Sequence, residues 1–101
     1  MHTMQQVIDA NKAAGHHWFE RPTMRFLRTR LCPNTVKGLP DGGALFVTSE
    51  CGPDRVRRYS VRRALPTGGI DTVGAFQAYA TRSAALVALC RLHAGWKAVA
   101  S

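Results

Sequence analysis

Ten of the fourteen Lys and Arg residues fall between Arg21 and Arg63, a stretch with only three acidic residues, and arginine outnumbers lysine eleven to three in the whole chain. A guanidinium forks its N–H donors onto phosphate or carboxylate and stacks flat on a base, so an arginine-led excess suits a surface that holds polyanions. Strand alternation in Arg57–Arg63 sends Tyr59 and Val61 one way and Arg58, Ser60 and Arg62 the other. Arg28 and Arg30 would extend that face from a neighbouring strand. The four candidate contacts are therefore Arg28, Arg30, Arg58 and Arg62. If all four neutralise phosphates, binding to duplex should weaken with a log–log salt slope of about −3.6. The competing account is compositional: a GC-rich gene enriches Arg, Ala and Gly without any binding role.

Other side-chain chemistry has less to work with. Cys32, Cys51 and Cys90 cannot all pair within one chain and show no C-x-x-C spacing, which argues against a disulfide framework or a zinc knuckle. Cys90 sits in a helical apolar stripe, where it is expected as a small buried hydrophobe. Adjacent His16 and His17 point apart on either a helix or a strand, so joining one of them to Cys32 and Cys51 as a metal site needs a tertiary coincidence. The six carboxylates, Asp9, Glu20, Asp41, Glu50, Asp54 and Asp71, show no paired acid–base spacing, and no GxSxG, HExxH, P-loop or GxGxxG pattern occurs. The expectation is a binding protein, with no enzyme activity, cofactor or bound metal.

The elements that would carry the arginines follow from periodicity and punctuation. Met4, Val7, Ile8 and Asn11 recur at helical spacing, which predicts a helix over about Met4–Ala14, started by a Thr3/Gln6 capping box and stopped at Gly15. Trp18 and Phe19 follow and should bury against the domain. Thr23–Leu31, bounded by Pro22 and Pro33, is short and reads as a strand that is either bulged or covered partly on both sides. Residues 33–43, rich in Pro and Gly, read as an exposed loop. Ala44–Ser49, Arg57–Arg63 and Ile70–Val73 read as further strands joined by turns at Cys51–Asp54 and Pro66–Gly69, with Gly74–Tyr79 pairing irregularly or passing on to the last helix. That helix should run over about Arg82–His93 with Thr81 as N-cap, Gly95 as stop and Ala85, Leu89, Leu92 and Trp96 as its inward stripe. Residues 97–101 read as a loose tail.

With 101 residues, 46% of them hydrophobic, the chain has room for one domain over 1–101. The predicted class is α+β: an antiparallel meander of three or four strands, with an N-terminal and a C-terminal helix packed on one face. A net charge of +8 favours acidic partners. No apolar run reaches the length of a membrane span, and the first twenty residues lack a signal peptide's pattern, so a cytoplasmic protein without a membrane partner is expected. An unpaired edge strand leaves a homodimer open.

The order α-β-β-β-α and the alanine-rich last helix resemble the topology of double-stranded RNA-binding domains. Their lysine cluster at the start of that helix is replaced here by Thr81-Arg82-Ser83-Ala84-Ala85. A closer resemblance is to a family of short, uncharacterised proteins of phages, prophages and plasmids. It is carried by Ala10–Phe19, Thr23–Phe26, Phe46–Glu50, Arg58–Arg62, Ile70–Gly74 and Phe76–Tyr79. The resemblance implies a mobile-element setting in a bacterial host cell, where small binders of host machinery, anti-CRISPR and other anti-defence proteins among them, are common. The expected function is that of a non-enzymatic accessory protein acting through its basic surface. The partner would be nucleic acid, or a host protein or ribonucleoprotein blocked as an anti-CRISPR inhibitor blocks its target.

Overall fold

Gln6 and Thr3 cap each other at the chain's first helix: the Gln6 backbone N–H donates to Thr3 Oγ1 (3.2 Å) and the Thr3 N–H to Gln6 Oε1 (3.2 Å). This is the reciprocal cap that the sequence implies, and it starts α1 (Met4–Ala13), which ends where Gly15 turns left-handed at φ 83°. The computed structural model describes the backbone of residues 1–100 and the side chains of residues 1–96. The remaining elements are α2 (Arg21–Phe26), β1 (Arg30–Gly38), β2 (Ala44–Cys51), β3 (Arg57–Ala64), β4 (Ile70–Val73) and α3 (Arg82–Ala100). The strands form one antiparallel sheet in the order β1-β2-β3-β4, giving the expected α+β meander.

Three readings of how the sheet is built and covered need correction. The segment predicted as a strand over Thr23–Leu31 starts in α2 as far as Phe26 and becomes strand only at Arg30, because a proline in the first turn of a helix needs no N–H partner and Pro22 is accommodated there. The loop expected over 33–43 shrinks to the hairpin connection between Gly38 and Ala44, since β1 runs on through Pro33 to Gly38. The register shifts between Cys32 and Lys37, and in that bulge the buried Thr35 hydroxyl accepts the Val47 N–H (2.9 Å) while donating to the Cys32 carbonyl (2.6 Å). A side chain thus does what a ladder carbonyl would do, and a composition that reads as loop pairs as strand.

The third correction concerns the helices, which lie on opposite faces of the sheet. Leu45, Val47 and Val61 pack with Ala85 and Leu89 of α3, whereas Ala44, Phe46 and Ala64 pack with Met4 and Val7 of α1. Successive residues of β2 feed two different cores, so β2 is buried from Ala44 to Glu50 and has no solvent face. On the α1 side, buried Asn11 donates from Nδ2 to the Gly68 carbonyl (2.8 Å) and accepts the Trp18 N–H at Oδ1 (3.2 Å). It ties the helix to the β3–β4 turn and to the aromatic segment after α1. Gly68 has φ 97° and a Cβ there would stand 2.5 Å from the Ala10 carbonyl oxygen, so this contact depends on glycine.

Beyond β4, Tyr79 pairs with Tyr59 through backbone hydrogen bonds of 2.7 and 3.1 Å, the irregular pairing expected of Gly74–Tyr79. Thr81 Oγ1 then accepts the Ala84 N–H (3.1 Å) to start α3. Ala85 and Leu89 are buried as predicted, while Cys90 is exposed and Gly95 lies inside the helix instead of stopping it. The tail expected over 97–101 is helical backbone to Ala100; its side chains and Ser101 lie outside the described residues. No described helix is long and apolar enough to cross a membrane.

Candidate functional site

The four candidate arginines separate into two groups. Arg62 is buried, and all of its donor groups are engaged inside the protein: Nη2 with Glu50 Oε1 (2.7 Å), Nε with Thr48 Oγ1 (3.0 Å), and Nη1 with Thr72 Oγ1. The rings of Trp18 and Phe76 lie 5.3 and 5.2 Å from its guanidinium carbon, within cation–π range. Glu50 is fully buried, and its second oxygen accepts the Ser60 hydroxyl (2.9 Å). Gln77 closes the group from outside, its N–H on Ser60 Oγ (2.8 Å) and its amide on the Glu50 carbonyl (3.1 Å). This is a satisfied internal network. Each of the three guanidinium nitrogens of Arg62 is thereby tied to a partner inside the protein.

Arg58 is half exposed and bound to Asp54 (2.9 Å). The Val56 backbone N–H and, after it, Arg58 hold the Asp54 carboxyl below the usual range, so this pair is charged at neutral pH. The outward ribbon of β3 arginines is therefore replaced by pairs with internal carboxylates. The physical reason is that this side of the sheet is covered by Trp18, Phe76 and Gln77, so alternation directs Arg62 into a second interior.

Arg28 and Arg30 behave differently. They join Arg21, Arg25 and Arg55 around two adjoining clefts at the end of the sheet. One, of about 390 Å³, is lined by Arg25, Phe26, Leu27, Arg28 and Arg55 over a floor from Cys51 to Pro53. The other, of about 480 Å³, is lined by Arg21, Met24, Arg25, Arg28, Thr29 and Arg30. Arg25 and Arg28 border both, so the clefts form one surface. The ion pairs found among the described residues are His17–Glu20, Arg58–Asp54, Arg62–Glu50 and Arg63–Asp41, and none of the five arginines takes part.

The backbone holds this surface in place. The Cys51 N–H donates to the Leu27 carbonyl (2.7 Å), and Arg57 donates to the Arg28 carbonyl (3.1 Å) and to Ser49 Oγ (2.8 Å). Arg28 and Arg55 have positive φ, 48° and 60°, a region unusual for a side chain of this size. Both strained residues flank the same cleft, which couples an energetic cost to the charged surface. On the α3 face, burial pushes the Cys32 thiol above its ordinary pKa and outweighs the nearby Arg82, so thiolate is scarce there. No group of three or more His, Cys, Asp or Glu able to hold a metal occurs among the described residues.

Arg21, Arg25, Arg55 and Phe26 are the residues that sequence reasoning missed. Arg21 and Arg25 stand at i and i+4, the spacing of a helical face, and would have been placed together had α2 been recognised; Arg28 follows on the turn after the helix. Nothing in the sequence brings Arg55 to them; the β2–β3 connection does. Residues 3–89 match a family of unknown function (DUF7447). No curated protein and no solved structure matches the chain.

Proposed function

The chain belongs to that family, which passes on no activity, and we propose on geometric grounds that it acts by binding nucleic acid through the arginines around α2. The observation that carries this reading is five neighbouring guanidinium groups, on Arg21, Arg25, Arg28, Arg30 and Arg55, with no carboxylate partner among the described residues. Unpaired cations grouped on one surface raise the local concentration of polyanions and release condensed counterions when phosphates dock. Contacts of this type position a backbone without reading its sequence. The sequence resemblance adds a setting to the proposal, that of an accessory protein of a mobile element.

The test is binding of labelled random-sequence oligonucleotides across a salt series. Engagement of all five arginines gives a log–log slope of about −4.5 on duplex and about −3.5 on a single strand. Arg21→Glu with Arg25→Glu should remove most of the affinity at low salt. Absence of binding to any nucleic acid at low salt would overturn the proposal and move the search to a host protein or nucleoprotein recognised by the same charges.

A further inference from the structure

Phe26 is the residue that the arginine surface alone does not explain. It is 85% exposed, the most exposed large hydrophobic side chain among the described residues, at the C-terminal end of a helix that buries none of its residues. Phe76, the other exposed phenylalanine, lies against Arg62 and so has a structural task. Among the described residues Phe26 has none: it belongs to neither hydrophobic cluster and makes no aromatic pair. It borders the cleft that holds Arg25, Arg28 and Arg55.

From this juxtaposition we infer that the surface takes single-stranded rather than duplex nucleic acid, with the Phe26 ring stacking on an unpaired base while the arginines hold the flanking phosphates. The inference rests on the nucleic-acid reading and adds the strand form. A π-face beside a line of cations is the arrangement that binds single strands without sequence preference, because every base offers a face and every nucleotide a charge. In a duplex those faces are covered by neighbouring pairs, and a ring reaches one only by prising a step apart against its stacking. A protein partner would present its apolar anchors at a core poor in charge. Here the cleft that the ring borders carries three arginines, Arg25, Arg28 and Arg55, beside Leu27 and Cys51–Pro53, a charge density that suits phosphate better than an apolar interface.

The experiment measures binding of a dT oligomer and of a random duplex of equal length, at equal salt, by the native chain and by Phe26→Ala, Phe26→Leu and Phe26→Trp. The native chain is expected to prefer the single strand. Phe26→Ala and Phe26→Leu should each weaken dT binding about tenfold or more, since leucine keeps apolar bulk but has no ring. Their salt slope should stay unchanged, because the phosphate contacts remain. Phe26→Trp should retain affinity and show added fluorescence quenching on dT, a gain that also reports an intact fold. Duplex bound as tightly as dT, or Phe26→Leu binding dT like the native chain, would overturn the strand preference while leaving the arginine reading intact. Failure of both ligands to bind at low salt would overturn both readings.

Discussion

Arg62 and Arg28 lie in one sheet-and-helix unit, yet one is a structural cation and the other a free one. Arg62 has a buried carboxylate, two hydroxyls and two aromatic rings arranged around it. Arg28 lies on an exposed turn and its carbonyl is held by Arg57, while its own guanidinium takes part in no ion pair among the described residues. What separates them is cover: the aromatic residues after α1 and the segment after β4 seal one site, whereas Arg28 is exposed. A high count of arginines thus says little about binding until each is paired with its carboxylates.

The contrast makes graded predictions. Glu50→Ala strands a buried guanidinium and should cost about 3–5 kcal/mol in urea unfolding, since removing one partner of a buried pair leaves the other uncompensated. A loss near zero would mean that the network around Arg62 is no structural lock. Leu89→Ala supplies the yardstick for an apolar core position on the opposite face, at about 2–5 kcal/mol. The Asp41–Arg63 pair is intermediate. The Gly43 backbone N–H and, after it, Arg63 hold the Asp41 carboxyl below the ordinary range. A depressed folded pKa gives stability that is present above the ordinary carboxylate range and is lost as pH falls through the folded value. Asp41→Asn should therefore cost at most about 1 kcal/mol at neutral pH, with the difference from the native chain vanishing in acid melts. Arg21→Glu with Arg25→Glu should change stability by no more than about 0.5 kcal/mol, although it removes nucleic-acid binding. A large loss of stability there would erase the distinction between the two groups of arginine.

Much of the fold was legible because its signals are local. The Thr3/Gln6 cap, the alternation of Arg57–Arg63 and the Ala85–Leu89 stripe each follow from neighbours a few residues apart, and each predicted element forms. The failures share a cause in tertiary context. Pro22 and Pro33 read as boundaries, but one fits the first turn of α2 and the other lies in an outer strand, where no second neighbour needs its missing N–H. Alternation correctly put Arg58 and Arg62 on one face of β3. It could not reveal that this face is covered, because the cover comes from Trp18, Phe76 and Gln77, distant in sequence. Of the candidate contacts, Arg28 and Arg30 remain on the free surface, while Arg58 and Arg62 are held by Asp54 and Glu50.

The bulge in β1 bears on how copies of the chain meet. With α1 and α3 over the two faces of the sheet, β1 and the four-residue β4 are its outer strands. A foreign strand seeking to zip onto β1 meets a proline that offers no hydrogen at Pro33, followed by a stretch out of step with the ladder before Lys37. Its grip is broken midway, so runaway stacking of sheets along that border is blocked by the same irregularity that Thr35 repairs from within.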